Sequence, residues 1–245
     1  MKSLKELYRI GPGPSSSHTM GPQKACLEML KRCPNADHYR ADLYGSLAMT
    51  GKGHLSDQII IRTLAPRPVE VCFHMNEMKK HPNTLELHAF DAEDGLLETM
   101  TVYSVGGGVI EIEGEDAAVH APCYPHHTLD EIKAFCAAEH IGLNAYVDQF
   151  DDSDISGYLN EILIQMLKTV DAGLNASGIL PGRLKLERIA RSLLQEASDV
   201  HGSEREKLLL CAYAYAACEE NASGGMSVTA PTLGSSGLLP ALLYY

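Results

Sequence analysis

The sequence predicts an α+β protein: an N-terminal α/β sandwich-like domain over residues 1–125, followed by an all-helical, incomplete domain over residues 126–245. Three observations predict this fold class. Short runs of β-branched and alternating residues between 39 and 111 are separated by Gly, Pro, Asn and Asp. From residue 128 onward, apolar residues recur with helical spacing. A Pro-containing stretch, residues 121–125, separates the two patterns.

In the first part, a short helix is expected over residues 3–9, then a loop over 11–17 and a helix over 21–32. The apolar stripe of that longer helix is formed by Cys26, Met29, Leu30 and Cys33. Ser56 or Asp57 is expected to cap a helix that contains the run 59–61. Alternation predicts a strand over residues 39–47, and a loop or tight turn is expected over 51–54. Further strands are predicted over 69–74, 84–90, 98–103 and 109–111, with turn residues between them.

The second part begins with a capping box, because Thr128 is followed three positions later by Glu131. Helices are predicted over residues 129–140, 153–174, 184–196 and 204–220. The last residues, 238–245, are apolar and carry Pro240 in what would be the first turn of a buried helix. Because a soluble domain rarely ends within such a helix, we expect the chain to be cut short in its helical domain.

The composition narrows the possible partners. The chain has 245 residues and a formal net charge of −12. Nucleic acids and anionic membranes are therefore not expected as partners, since both favour clustered Lys and Arg. A small anionic substrate stays possible, because backbone amides and a few cations can bind it. The polar N-terminus does not resemble a signal peptide, and no apolar run is long enough to span a bilayer, so we expect a cytoplasmic protein.

Seven cysteines are present, at irregular spacings and without a C-x-x-C pair. A disulfide framework is therefore not expected, and each thiol taken singly is interpreted as buried or neutral. Cys211 and Cys218 are seven residues apart on a predicted helix and share a face. That face is interpreted as core rather than as a metal site.

The strongest local motif is G-P-S-S-S-H-T-M-G-P over residues 13–22. Hydroxyl groups, backbone amides and the positive end of a helix dipole meet there, which favours a carboxylate ligand. The candidate substrate-binding residues are Ser15, Ser16, Ser17, His18 and Thr19. The alternative is an ordinary N-cap loop with extra serines, and composition alone favours that alternative.

A second motif, residues 44–57, contains Gly51-Lys52-Gly53-His54, in which the glycines permit close approach of a ligand to Lys52. It lacks the spacing of a P-loop. A single histidine such as His54 is more often structural than catalytic. His81 and His88 are seven residues apart, and on a strand they would lie on opposite faces and could not act as a pair.

Five motifs occur in order along nearly the whole chain: residues 13–22, 44–57, Y-S-V-G-G-G at 103–108, G-I-L-P-G at 178–182 and E-E-N-A-S-G-G-M-S-V-T-A-P-T at 219–232. In these motifs the chain resembles the single-chain, iron–sulfur-dependent L-serine dehydratases (L-serine ammonia-lyases). The resemblance implies a lyase of amino-acid catabolism that converts L-serine to pyruvate and ammonia. It also implies a [4Fe–4S] cluster acting as Lewis acid, and a homodimer.

The resemblance also implies roles for individual residues. His54 and His81 are the acid–base candidates, and His81 rests on a shorter match than His54. Residues 15–19 and Lys52 are expected to bind the substrate or to close the interface between the domains. The loops 178–182 and 221–225 are expected to line the helical side of the site.

The chain departs from the family pattern where cysteine ligands of the cluster are expected. The residues after A-P-T include Leu233 and Ser236 at those positions, and a serine oxygen is a poor ligand for such iron. None of the seven cysteines occupies a ligand position of the family. The resemblance therefore implies a [4Fe–4S] cluster whose ligands this chain does not contain.

Three alternatives to an L-serine dehydratase follow from this departure. The chain could be a non-catalytic serine-binding or regulatory module that has lost the cluster. It could be a related lyase acting on threonine or cysteine. It could also be a degraded pseudo-enzyme with an aggregation-prone C-terminal segment.

Overall fold

The computed structural model describes residues 1–116 and 121–245 and confirms an α+β fold. The strands are β1 (Ile10–Pro12), β2 (His38–Tyr44), β3 (Val69–His74), β4 (Thr84–Phe90), β5 (Leu96–Gly106), β6 (Val109–Ile112) and β7 (Met226–Val228). The helices are α1 (Gly21–Arg32), α2 (Gly45–Thr50), α3 (Ser56–Leu64), α4 (Leu129–Ala138), α5 (Leu143–Phe150), α6 (Ile155–Asn175), α7 (Ala190–Glu196), α8 (Gly202–Ala222) and α9 (Leu238–Tyr244). A 3₁₀ turn covers Leu4–Glu6, and a π-helical turn covers Ser16–Met20.

A five-stranded sheet in the order β3-β2-β4-β5-β6 forms the centre of the first part. β2 and β3 are parallel and are connected through α2 and α3, whereas the other neighbours are antiparallel. Helices α1 and α3 cover one face of the sheet. Because side chains alternate along a strand, Tyr39, Ala41 and Leu43 of β2 point into this core, where they pack against Cys26 and Met29 of α1.

The helical part is built around α6 and α8, which pack against each other, with α7 and α9 also against α8. Small residues, including Ala216 and Ala217, make up much of the interface and allow the helices to approach closely. A separate aromatic cluster around Tyr124 and Tyr146 joins α4 to α5. Among residues 1–116 and 121–245, no helix combines the length and the apolar character that crossing a membrane requires.

The N-terminal segment connects the helical part to the sheet. β1 pairs antiparallel with β7, and the Gly13 amide donates to the Gly225 carbonyl oxygen over 2.8 Å. A Cβ at Gly13 would overlap the carbonyl oxygen of Asn221, so this close approach requires glycine. The next residues enter the π-helical turn and then α1. The serines of the first motif therefore lie where the two parts of the chain meet, and the division at residue 125 stays a prediction.

Several predicted elements are confirmed with small shifts in their ends: α1, β3, β4, β5, β6, α4, α6 and α8. Helix α9 also forms, but the prediction that it is buried was wrong, because Leu238, Leu242 and Leu243 are exposed. The capping box at Thr128 is also confirmed. Other expectations were wrong. The strand expected to reach residue 47 ends at Tyr44, where α2 begins, and the helix expected over 184–196 starts only at Ala190. Helix α5 was not predicted, and the helix expected over 3–9 is a single 3₁₀ turn.

The predicted cap of α3 was also wrong. The N-cap residue is Leu55, whose φ of 57° lies in the left-handed region. The hydroxyl of Ser56 instead donates to the His18 carbonyl oxygen over 2.5 Å. The interpretation of Cys211 and Cys218 as core residues was wrong as well, because both are exposed on α8.

Candidate active site

The serine-rich motif forms the π-helical turn that leads directly into α1. The Ser15 hydroxyl accepts a hydrogen bond from the His18 amide over 3.1 Å and so caps the turn. The Ser15 and Ser17 hydroxyls lie 3.4 Å apart, and the Ser17 hydroxyl lies 2.9 Å from Nδ1 of His18. The turn therefore groups the polar side chains that the sequence predicted as a carboxylate site.

His18 is the buried centre of this group. Its Nε2 lies 3.1 Å from the Ser46 hydroxyl, so both ring nitrogens have a serine partner. Burial lowers the pKa of His18 below its ordinary value of 6.5, and the nearby His54 lowers it further, against the opposing hydrogen bond with Ser46. The neutral imidazole is therefore the favoured form of His18.

His54 lies in the turn after α2, with its ring centroid 4.7 Å from that of His18. Its Nδ1 lies 3.0 Å from the Thr50 carbonyl oxygen. Because a carbonyl oxygen only accepts, Nδ1 must carry the proton, and Nε2 of the neutral ring holds a lone pair. The Thr19 hydroxyl donates to the His54 carbonyl oxygen over 2.8 Å and so joins the two motifs.

His81 has the opposite arrangement. Its Nδ1 accepts a hydrogen bond of 3.1 Å from the Asn83 amide, so the proton of the neutral ring must be on Nε2. His81 precedes β4, whereas His88 lies within that strand, so the premise that both occupy one strand was wrong. The two histidines have different partners, since His88 contacts Asp42 and Thr99.

The loop that carries His81 is held against the second motif. The Ser46 amide donates to the Pro82 carbonyl oxygen over 2.7 Å. Gly45 has a φ of +56°, and a Cβ there would overlap the same oxygen. The glycine of this motif therefore allows the loop to approach β2. Through Ser46 the loop is connected to His18, and His18 in turn contacts His54.

Two residues of the site were not predicted individually, Ser46 and Ser104. The Ser104 hydroxyl donates to the Ser17 carbonyl oxygen over 2.8 Å, and its backbone pairs with Asn83. Both serines lie within quoted motifs, Ser46 in residues 44–57 and Ser104 in 103–108. The motifs were the only sequence signal for them, because a single serine has no periodicity.

The helical part reaches the site through the end of α8. The Asn221 side chain donates to the carbonyl oxygens of Pro14, over 3.4 Å, and Leu233, over 3.2 Å. Gly224 approaches the Leu55 side chain and the Gly13 carbonyl oxygen. The loop 221–225 therefore adjoins the serine motif. The described contacts of the loop 178–182 are with residues 186–188, and its place in the site stays a prediction.

Not every predicted substrate-binding residue has its side chain among the hydroxyls of the serine motif. The Lys52 ammonium lies 5.3 Å from the centre of the Phe73 ring. Ser16 and Thr19 are 6% and 1% exposed, and the Thr19 hydroxyl is shared by the His54 carbonyl and the Ser15 amide. Thr19 therefore holds the backbone of the site together.

The residues at the expected cluster position do not fit a [4Fe–4S] group. Leu233 and Ser236 are 1% and 2% exposed, and the Ser236 hydroxyl is buried without a hydrogen-bond partner among the described residues. The Cys218 thiol, which lies near Gly237, would supply only one sulfur ligand. Within residues 1–116 and 121–245, no group of three or more His, Cys, Asp or Glu side chains is placed to hold a metal ion. Such a cluster needs several thiolates, so this donor set does not match it.

Two known protein families match the segments of the chain that form this site. The family described as "Serine dehydratase beta chain" matches residues 3–71, and the family described as "Serine dehydratase alpha chain" matches residues 48–245. The first match contains the serine motif and His54. The second contains His54, His81 and the loop 221–225, so each part of the candidate site lies in a matched region.

Curated relatives agree. L-serine dehydratase 1 of Escherichia coli is 31% identical, with 100% of this chain and 66% of the relative covered. L-serine dehydratase of Streptomyces coelicolor is 33% identical, covering 99% and 65%. This chain thus spans about two-thirds of their length. The alignment with the first runs over 301 residues, longer than the chain itself, so that relative carries segments which this chain lacks. With the alpha-chain match extending over most of its residues, the chain belongs to the serine dehydratase family.

Proposed function

We propose that this chain contributes the substrate-binding and acid–base residues of an L-serine dehydratase, which converts L-serine to pyruvate and ammonia. The relatives that match the whole chain bear that name. The observation that supports the proposal is the pair of backbone contacts at the two histidines, which assign opposite tautomers to their rings. The free lone pair of His54 is at Nε2, and the ring proton of His81 is also at Nε2.

A β-elimination needs one group of each kind. The Cα–H bond of serine breaks as Nε2 of His54 takes the proton. The electron pair forms the Cα–Cβ double bond as the Cβ–O bond breaks, and Nε2–H of His81 protonates the leaving hydroxyl to give water. The product, 2-aminoacrylate, tautomerises to the imine and is hydrolysed to pyruvate and ammonia.

The serine motif would hold the substrate during these steps. We assign the substrate carboxylate to the hydroxyls of Ser15 and Ser17, next to neutral His18. Ser16 and Thr19 support the turn from inside. Lys52 remains a candidate for carboxylate binding if its exposed ammonium moves from Phe73. A neutral His18 suits a base at His54, because a second cation 4.7 Å away would oppose proton uptake by His54.

Family membership implies an iron–sulfur cluster, but the donors of this chain do not fit one. The proton transfers above therefore use this chain's own residues alone. A homodimer and a cytoplasmic location are further proposals, supported by the family resemblance. The division of the chain into domains at 1–125 and 126–245 is also proposed, supported by the change from sheet to helices after Ile112.

The test is pyruvate release from L-serine by the anaerobically prepared protein, together with calorimetric measurement of L-serine binding. Pyruvate formation that disappears in His54→Ala would support the proposal. Binding of L-serine without turnover, in a protein that also contains the segments which the relatives carry and this chain lacks, would contradict it and would favour the serine-binding module. Faster turnover of L-threonine or L-cysteine would instead indicate a related lyase.

A further inference from the structure

A second cluster of titratable residues lies on the face of the sheet opposite α1 and α3. Its centre is the Asp42 carboxylate on β2, which is 2% exposed. Oδ1 of Asp42 lies 2.8 Å from Nη2 of Arg40 and 2.6 Å from Nε2 of His74, and Oδ2 lies 3.3 Å from Nε2 of His88. Burial acts to raise the pKa of Asp42, but the hydrogen bonds from Arg40 and His74 prevail and hold it below its ordinary value.

The two histidines that contact Asp42 have different further partners. His74, the last residue of β3, stacks on Tyr44 with ring centroids 4.7 Å apart, and its Nδ1 lies 3.4 Å from the Glu77 carboxylate. Glu77 belongs to the loop 75–83, which carries His81. His88 on β4 instead contacts Thr99 of the next strand, over 2.9 Å.

The loop 75–83 is fastened to the same face by further contacts. The Lys79 ammonium lies 3.1 Å from the Glu86 carboxylate and 4.4 Å from the centre of the Tyr44 ring. The Lys80 ammonium lies 5.6 Å from the centre of the Tyr103 ring, and His81 also packs against Tyr103. The Glu77 carbonyl oxygen accepts a hydrogen bond of 3.1 Å from the Gly45 amide.

From this arrangement we infer that Asp42 and His74 are positioning residues for His81. Nε2 of His74 donates to Asp42, which fixes the ring from one side. On the other side the ring stacks on Tyr44, and its Nδ1 forms an ion pair with Glu77 when the imidazole is protonated. Those two residues anchor the loop 75–83 at its start and along its length. The cluster around Asp42 thereby sets the orientation of His81, whose ring proton is assigned to Nε2. No described hydrogen bond joins this cluster to the serine motif.

His88 provides a matched control, because it contacts the same carboxylate but its other hydrogen-bond partner is Thr99, outside the loop 75–83. His74→Phe keeps an aromatic ring on Tyr44 and removes the hydrogen bond to Asp42 and the ion-pair contact with Glu77. His88→Phe also removes one bond to Asp42. If Asp42 served only the stability of the sheet, the two substitutions would act alike.

The experiment compares both variants with the unmodified chain by two NMR measurements. Long-range proton–nitrogen spectra report which nitrogen of His81 carries the proton. Hydrogen exchange of the Ser46 amide reports its bond to the Pro82 carbonyl oxygen, next to His81. In His74→Phe, we expect Ser46 exchange about tenfold faster and a mixture of His81 tautomers. In His88→Phe, exchange should stay within about twofold and the tautomer should be unchanged.

Equal effects of the two substitutions, or no effect of His74→Phe on His81, would overturn the inference. Should His74→Phe fail to fold, Glu77→Ala removes the loop's partner at a largely exposed side chain, and it should also accelerate Ser46 exchange; unchanged exchange would again overturn it. The inference rests on the proposed function only in the role of His81 as the acid that protonates the leaving hydroxyl. Both NMR readouts are independent of turnover, whereas pyruvate release in His81→Ala tests the function.

Discussion

The Thr19 hydroxyl donates a 2.8 Å hydrogen bond to the backbone carbonyl oxygen of His54. The same hydroxyl accepts from the Ser15 amide over 3.2 Å. One buried side chain thus joins the serine motif to the turn that carries the proposed base. The position of His54 relative to His18 depends on this connection, because the two residues lie on separate segments of the chain.

Thr19→Val should therefore destabilise the protein by about 1–2 kcal/mol, since the substitution keeps the shape but leaves two partly buried backbone groups without their partner. The free energy of unfolding in urea measures this. Thr19→Ser is the control, because it keeps the hydroxyl and should lose less stability. A Thr19→Val protein as stable as the unmodified chain, with the loss confined to Thr19→Ser, would show that the methyl group, not the hydrogen bond, matters.

Stability should fall as the pH is lowered through the titration of His18. Its pKa is lowered in the folded protein, so below 6.5 the unfolded chain binds more protons than the folded chain. The free energy of unfolding should therefore rise with pH from the folded pKa up to about 6.5 and then level off. Urea denaturation across that range gives the slope.

His18→Gln should reduce this slope, and His201→Gln, at an exposed histidine before α8, should leave it unchanged. Identical slopes in His18→Gln and the unmodified chain would contradict burial as the origin of the effect.

In an L-serine dehydratase that contains this chain and the segments it lacks, Ser236→Cys should increase the iron bound after anaerobic reconstitution, because it places a thiol where the family resemblance implies a cluster ligand. Ser236→Ala is the control: it removes the same hydroxyl, buried without a partner among the described residues, and adds no ligand. Iron and sulfide analysis with visible absorbance provides the measurement. If the two variants bound equal amounts of iron, residue 236 would not be a ligand position.

His54→Ala should lower the rate of pyruvate formation by about two orders of magnitude or more in an active L-serine dehydratase that contains this chain. The reason is the loss of the lone pair at Nε2. The Michaelis constant for L-serine should change little, since the serine motif stays intact. A rate near that of the unmodified enzyme would remove His54 from the mechanism.

Sequence patterns predicted the sheet and the longer helices well, because alternation and helical spacing are local properties. The strand predicted through residue 47 is instructive. Its alternation continues past Tyr44, but Gly45 adopts a positive φ to admit the Pro82 carbonyl, and the chain turns into α2. Similarly, residues 178–188 form a small hairpin closed by the Leu180 and Arg188 amides, which shortens the predicted α7. The end of the strand depends on a contact with Pro82, which is distant in the sequence. The start of α7 depends on the hairpin contacts, which are not helical.

For the site, the motifs identified which segments matter but not how they meet. Nothing local predicts that the rings of His18 and His54 are in contact, or that Ser104 bonds to Ser17. The protonation of His54 and His81 was equally inaccessible, because it depends on backbone partners at Thr50 and Asn83. The cluster around Asp42 was missed because its members come from three strands and carry no shared motif.

The most direct test of the proposed acid–base pair is to determine the tautomers of His54 and His81 in the unmodified protein by long-range proton–nitrogen NMR near neutral pH. We expect the neutral His54 ring to carry its proton on Nδ1 and the neutral His81 ring to carry its proton on Nε2. The same tautomer in both rings, or the reverse assignment, would contradict the roles of base and acid proposed for them.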